Sequence, residues 1–353
     1  ARRPLIVAGE MRLGERLRRP LDSLLARLDA PVLAEPSSQL RRRSALGLVD
    51  TYDALLRDPG FAGSHAPDVV LRLGAPPTSK ALNQLLRQAG RVLVIDPDGG
   101  WRDPDLVAQE HLHCDPVALI DQLAERVGPP TGGWQRSWRD SAGVASAAIE
   151  RRLYRSPLHE GHVVRALARE LPDHATVFVG SSMAIRDVDT FWPPSAPGVH
   201  FLGNRGASGI DGLVSTGLGV AAGRPDTPTV LLLGDLSLYH DMNGLWAAHR
   251  HGVRAVILVL DNNGGGIFDF LPPSEHQDVF EEVFATPLGM RLEDVARLYD
   301  LYFVATEDPG ELPYLLQRAL AADRTTLVCA RFPRAQSVAG HRECWRAVAE
   351  ALA

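Results

Sequence analysis

The chain has 353 residues, 45% hydrophobic and 23% charged, a balance ordinary for a soluble globular protein and a length that suggests about two domains. A net charge of −6 gives no support for nucleic acid as a partner, and no apolar run approaches the roughly 18 residues of a membrane span. Cys114, Cys329 and Cys344 are few, odd in number and unpatterned, so neither a disulfide framework nor a zinc site is expected; no signal peptide opens the chain, and a cytoplasmic protein is expected.

Leu5 to Ala8 reads as a buried strand that turns at Gly9-Glu10. Alternation follows: a helix around Pro20 to Leu28, a strand Pro31 to Ala34, a helix around Ala45 to Leu56, a strand Asp68 to Leu73, a helix Ala81 to Gln88 and a strand Arg91 to Ile95. Strands alternating with helices indicate a parallel, doubly wound layer. With no Gly-x-Gly-x-x-Gly, no dinucleotide is assigned to it. The run Arg41-Arg42-Arg43 reads as a solvated helix start, with binding of an anionic regulator as the alternative. A Pro-Gly-rich stretch, Gly128 to Gly133, marks a boundary. A polar helix carrying Trp134, Trp138 and Ile149 follows, and a second αβ series opens at Leu158-His159-Glu160-Gly161, closing with a strand Thr325 to Phe332 and a helix Val338 to Leu352. The expected fold class is therefore α/β, with two doubly wound parallel-sheet domains at 1–126 and 159–353 and a linker over 127–158.

In the second series, Thr229 to Leu233 and Ala255 to Leu260 are apolar almost throughout, the pattern of strands buried on both faces. The first runs into Gly234-Asp235-Leu236-Ser237 and the second into Asp261-Asn262-Asn263-Gly264-Gly265-Gly266-Ile267-Phe268. Tyr239 to His251 has the apolar spacing of a crossover helix between them. A carboxylate and an amide oxygen thus stand at the carboxyl ends of two strands of one βαβ unit, the edge where open α/β sheets bind ligands. A hard divalent cation such as Mg2+ or Mn2+ takes oxygen ligands and often shares them with phosphates. Asp235, Asn262 and a main-chain carbonyl near Gly264 make a candidate ligand set, and the glycines at 264 to 266 let the backbone approach closely. The N–H groups of Leu236, Ser237 and the helix start suit a diphosphate. Gly-Asp and Asn-Gly are each common turn formers; the paired strands, the crossover helix and the glycine run together favour a ligand site.

Two more loops follow apolar runs and belong at the same edge. One, Phe178 to Asp187, carries Ser182 and Arg186; the other, Asn204 to Gly212, carries Arg205. Both arginines converge on the region of Asp235, and guanidinium binds carboxylates bidentately. Lys80, the single lysine of the chain, follows the strand ending at Leu73 and reads equally well as a solvent-facing residue at a helix start. His240, His249 and His251 fall on no motif and read as helix-surface or packing residues.

Gly-Asp, a spacer of this size and then Asn-Asn resembles the diphosphate-anchoring motif of thiamine-diphosphate enzymes. Asn204-Arg205-Gly206-Ala207-Ser208-Gly209-Ile210-Asp211-Gly212, with Gly-Asp-Leu in place of the Gly-Asp-Gly of pyruvate-type relatives, resembles most closely the 2-succinyl-5-enolpyruvyl-6-hydroxy-3-cyclohexene-1-carboxylate synthases of menaquinone biosynthesis. The resemblance covers essentially the whole chain. It implies a transferase that uses thiamine diphosphate and Mg2+ (or Mn2+), decarboxylates 2-oxoglutarate and adds the resulting carbanion to isochorismate. It implies Arg186 and Arg205 as clamps for substrate carboxylates, assisted by Ser182 and Lys80, with Ile267 and Phe268 as apolar walls. It places Gly234, Asp235, Leu236, Ser237, Asn262, Gly264, Gly265 and Ile267 on the cofactor, and Asp235, Asn262 and Gly264 on the metal. It also implies a homodimer or larger assembly. Members of the family often have arginine after the lysine, where this chain has Ala81. The resemblance further implies that these residues are the middle and diphosphate domains, that the pyrimidine domain with its activating glutamate is missing, and that the chain is a fragment inactive alone. The alternatives are another thiamine-diphosphate lyase or carboligase for a 2-oxo acid, and a non-catalytic α/β binding module.

Overall fold

Parallel neighbours in a sheet require crossover connections, usually helical, and the chain builds such a sheet twice. The structure, a computed structural model, describes residues 1–41, 47–128, 132–193 and 198–353. They fall into two units, one made of Ala1–Arg152, Trp192–Ala196 and Cys344–Ala353, the other of Leu153–Phe191 and Pro197–Glu343.

The first unit holds β1 (Pro4–Ala8), β2 (Val32–Ala34), β3 (Leu48–Val49), β4 (Val69–Leu73), β5 (Val92–Ile95) and β6 (Glu110–Leu112), in the order β3-β2-β1-β4-β5-β6. Every pairing is parallel. β1 is buried along its length, with Ile6 opposite Val32 on one side and Leu71 on the other. Leu17, Leu21 and Leu24 of the helix Gly14–Leu25 cover it together with Ile120. The helix Trp134–Leu153 starts where Asp29 accepts hydrogen bonds from the N–H groups of Trp134 and Gln135, at 2.8 and 3.0 Å. Those are two of the N–H groups that a helix start leaves without an internal partner.

Three expectations change here. β3 lies inside the stretch expected as a helix around Ala45 to Leu56; Gly47, at φ 76°, turns the chain so that Leu48 and Val49 pair with Val32 and Leu33, and the helix is confined to Tyr52–Leu56. Residues 45 and 46 lie outside the described residues. Arg41 is not solvated: it is 4% exposed, and its guanidinium donates to the carbonyls of Ala34 (2.6 Å) and Asp50 (3.1 Å). Arg42 and Arg43, like Pro129 to Thr131 of the Pro-Gly-rich stretch, lie outside the described residues. β6 is an additional edge strand, short and only partly apolar, which leaves little pattern to read.

Arg72, on β4 and 1% exposed, is paired with the equally buried Asp103 at 3.2 Å. Removing one member of a buried pair strands the other charge, which typically costs about 3–5 kcal/mol. Asp103→Ala is therefore expected to lower the free energy of urea unfolding of the first unit by that amount, read by fluorescence of its tryptophans. A change below about 1 kcal/mol would show that water or a backbone carbonyl replaces the carboxylate.

The second unit holds β7 (Thr176–Val179), β8 (His200–Leu202), β9 (Thr229–Gly234), β10 (Val256–Asp261), β11 (Tyr302–Thr306) and β12 (Thr326–Arg331), in the order β11-β12-β10-β9-β7-β8 and again all parallel. From β7 the chain moves outward to β8 and then returns to the other side to lay down β9. Ligand crevices form at the carboxyl ends of strands at such a reversal. β9 and β10 are buried up to their last residues. The crossover between them is three pieces: a helix Asp235–Asp241, a 3-10 turn Met242–Gly244 and a helix Leu245–His251. The first begins directly at Asp235 after an extended Gly234, so Leu236 and Ser237 lie in a helical first turn. The last helix, Arg334–Leu352, starts four residues before the expected Val338. Among the described residues no helix is long and apolar enough to cross a membrane.

Candidate active site

A cavity of about 440 Å³ opens at the carboxyl edge of the second sheet. Its lining includes Ser182 and Arg186 after β7, Arg205 after β8, Gly234 to Ser237 after β9, and Asn262, Gly264, Gly265, Ile267 and Phe268 after β10. The structure thus brings to one cavity the residues read from the sequence as candidates for cofactor, metal and substrate, Lys80 excepted.

At its centre Asp235 is 5% exposed, and the N–H of Gly264 donates to its Oδ2 at 2.8 Å. Gly264 has φ 140°, and a Cβ there would stand 2.4 Å from the carbonyl oxygen of Ala285, so the position tolerates only glycine. Its own carbonyl accepts from Gly266 N–H at 2.9 Å, which leaves one lone pair unused. A Cβ at Gly266 would meet the Asn262 amide at 2.6 Å. That amide's Oδ1 is buried with no hydrogen-bond partner among the described residues. A buried acceptor left unsatisfied costs about 1–3 kcal/mol, and its presence at a strand end asks for a ligand.

Burial pushes Asp235 up to about 7, the negative charge of Asp261 adds to this, and the N–H groups of Leu236 and Gly264 oppose it. Without a counter-charge the carboxyl is therefore half protonated near neutrality. A divalent cation would hold it ionised while taking up the orphaned Asn262 oxygen and the spare lone pair of Gly264. The residues present fit a metal that prefers oxygen ligands.

Ser182 has φ 66°, a left-handed conformation that costs a serine free energy and clusters at ligand sites. Its carbonyl accepts a hydrogen bond from the Arg186 guanidinium, which folds back over the first turn of the helix Met183–Phe191. Ser181, 4% exposed beside it, has a hydroxyl without a hydrogen-bond partner among the described residues. Arg186 and Arg205 are half-buried. Lys80 belongs to the first unit, exposed at the start of the helix Lys80–Leu86, which Ser79 caps by accepting from Leu82 N–H at 3.1 Å. It lines a different cavity, together with Arg57, Gln84 and Trp345. His240, His249 and His251 are all exposed.

Residues 187–330 match the family described as thiamine pyrophosphate enzyme, C-terminal TPP binding domain. Along the whole chain there is similarity to proteins named 2-succinyl-5-enolpyruvyl-6-hydroxy-3-cyclohexene-1-carboxylate synthase. The one from Geobacillus kaustophilus is 41% identical, over 100% of this chain and 62% of its own length. That from Chloroflexus aurantiacus is 43% identical over 94% and 58%, and that from Geobacillus thermodenitrificans 39% identical over 100% and 61%. The chain therefore spans about six-tenths of the length of the curated relatives it matches.

One group of residues beside this cavity escaped the sequence reading. Glu160, in the first turn of the helix Glu160–Glu170, lines the cavity and is fully buried. Its Oε1 accepts from the Ser337 hydroxyl at 2.6 Å. His341 stands behind it, with Nε2 2.9 Å from Asp187 Oδ1 and Nδ1 2.9 Å from the Ser337 carbonyl. Glu160 and Asp187 lay in segments already read as strand-end loops or helix starts, but nothing local marks them. Their partner is 154 residues beyond Asp187, and only the fold joins them.

Proposed function

We propose that this chain provides the cofactor-anchoring and substrate-clamping half of a 2-succinyl-5-enolpyruvyl-6-hydroxy-3-cyclohexene-1-carboxylate synthase. In this reading the whole protein, a cytoplasmic homodimer or larger assembly, decarboxylates 2-oxoglutarate and transfers the remaining carboxylate-bearing unit to isochorismate in menaquinone biosynthesis. The observation that carries it is the buried, partnerless Oδ1 of Asn262 beside Asp235, in the same cavity as two arginines.

Asp235, Asn262 and the Gly264 carbonyl would hold Mg2+ or Mn2+. Ser237 and the N–H groups at the start of its helix would bind the diphosphate, whose charge a helix start favours. Bound thiamine diphosphate supplies the electron sink that lets a 2-oxo acid lose CO2. Arg186 and Arg205 would clamp carboxylates bidentately and fix which end of the substrate faces inward. Ser182 would add a hydrogen bond from a strained position. Ile267 and Phe268 would keep water out, strengthening every charge interaction inside.

Calorimetric titration of the chain with thiamine diphosphate, with and without Mg2+, tests the anchoring part. Binding that depends on the metal is expected, and no binding at all would leave a non-catalytic module as the better description. A panel of 2-oxo acids on the whole protein tests the substrate: faster turnover of pyruvate than of 2-oxoglutarate would instead indicate another lyase of the same cofactor.

A further inference from the structure

Three ionisable side chains meet at the cavity wall, Glu160 in its lining and Asp187 and His341 behind it, with Glu160 and Asp187 at 0% and His341 at 2% exposure. Such a group is costly unless its charges are paired. Both nitrogens of His341 face oxygens, the Ser337 carbonyl and the Asp187 carboxylate. A carbonyl can only accept, so Nδ1 carries a proton, and the second proton on Nε2 makes an imidazolium that balances Asp187. Asp187 and Glu160 raise His341 to about 9 against the opposing effect of burial.

That pairing commits the imidazolium to Asp187 and leaves it outside hydrogen-bond reach of Glu160. Its Oε2 lies 4.0 Å from His341 Nδ1, too far for a hydrogen bond, and has no hydrogen-bond partner among the described residues. Burial, and then the charge of Asp187, push its carboxyl up to about 7. A metal held by His159, Glu160 and His341, whose ligand atoms lie within 4.8 Å of one another, is the rival reading. It fails because His341 has no nitrogen lone pair to spare.

We propose that Glu160 is a neutral carboxylic acid in the wall of the cavity and donates a hydrogen bond to an oxygen of the ligand bound there, with Asp187 and His341 as positioning residues behind it. Neutrality suits the place, because the ligands on the reading above are anions and a carboxylate would repel them. The donor would complement Arg186 and Arg205 without adding a net charge to a site that must also accommodate CO2 loss. This inference rests on the proposed function for the identity of the ligand, but not for the protonation of Glu160.

Infrared difference spectra between the chain and Glu160→Gln, taken at pH 6, test both parts. A carbonyl band of a neutral carboxylic acid is expected in the wild type and absent from the variant. It should move to lower frequency when thiamine diphosphate and Mg2+ are added, or 2-oxoglutarate after them. Glu160→Gln keeps a donor and should bind within about 3-fold of wild type, whereas Glu160→Leu should bind about 10-fold more weakly. Ionised Glu160 at pH 6, or a band that binding leaves unmoved, overturns the inference. If the wild type binds neither ligand, the proposed function fails first, and the inference about a ligand of this site falls with it. A merely structural role for Glu160 would change melting temperature in both variants without shifting any band on binding.

Discussion

Asparagine in place of Asp235 should lower the affinity for thiamine diphosphate in the presence of Mg2+ by at least about 100-fold, because the only carboxylate among the candidate metal ligands is lost. The same substitution should make the ligand-free chain more stable at pH 8. The native-state carboxyl is raised to about 7 from an ordinary 3.8. A group raised in this way favours the folded state below its unfolded value, and that contribution is lost as pH climbs through the folded one. At pH 8 the wild type therefore carries a buried charge that asparagine does not, while asparagine can still accept from Gly264 N–H. A gain of about 1–3 kcal/mol in urea unfolding is expected at pH 8 and almost none at pH 4. Binding within 10-fold of wild type would remove Asp235 from the anchor. Loss of binding together with loss of stability would mean that the residue holds the fold rather than the metal.

Leucine at His341 should cost about 3–5 kcal/mol at pH 6, because it strands Asp187 in a place with no water. The pH dependence has a definite sign. His341 is raised to about 9 from 6.5, so its contribution is complete below about 6.5 and disappears as pH rises through 9. The difference in urea midpoint between wild type and variant should therefore shrink between pH 6 and pH 10, followed by far-ultraviolet circular dichroism. A difference that does not change over that range would show that the imidazole acts by packing alone.

The parallel sheets were legible in the sequence because strands buried on both faces need unbroken apolar runs, and Thr229 to Leu233 or Ala255 to Leu260 have no other use for them. Strand ends were legible for the same reason: the first polar residue after such a run stands at the sheet's edge. That logic led to Asp235, Asn262, Arg186 and Arg205. It could not lead to β3, whose two residues carry no period, nor to the burial of Arg41, whose partners are backbone carbonyls with no sequence signature. Glu160, Asp187 and His341 were out of reach for a different reason. Each is an ordinary residue of a helix, and their chemistry arises only when three helices bring them together.

The two halves of the cavity rest on different parts of the sheet. Asp235 and Asn262 follow β9 and β10, which are flanked by strands on both sides, whereas Arg205 follows β8, the outermost strand beyond β7. Strand order therefore sets the loop of Arg205 apart from Asp235, Asn262 and Arg186, which all follow interior strands. Lineages could remodel the loop after an outer strand to accept a differently shaped anion without disturbing the interior ladder that fixes the anchor. The spacing of Asp235 and Asn262 would survive such a change at the sheet's margin.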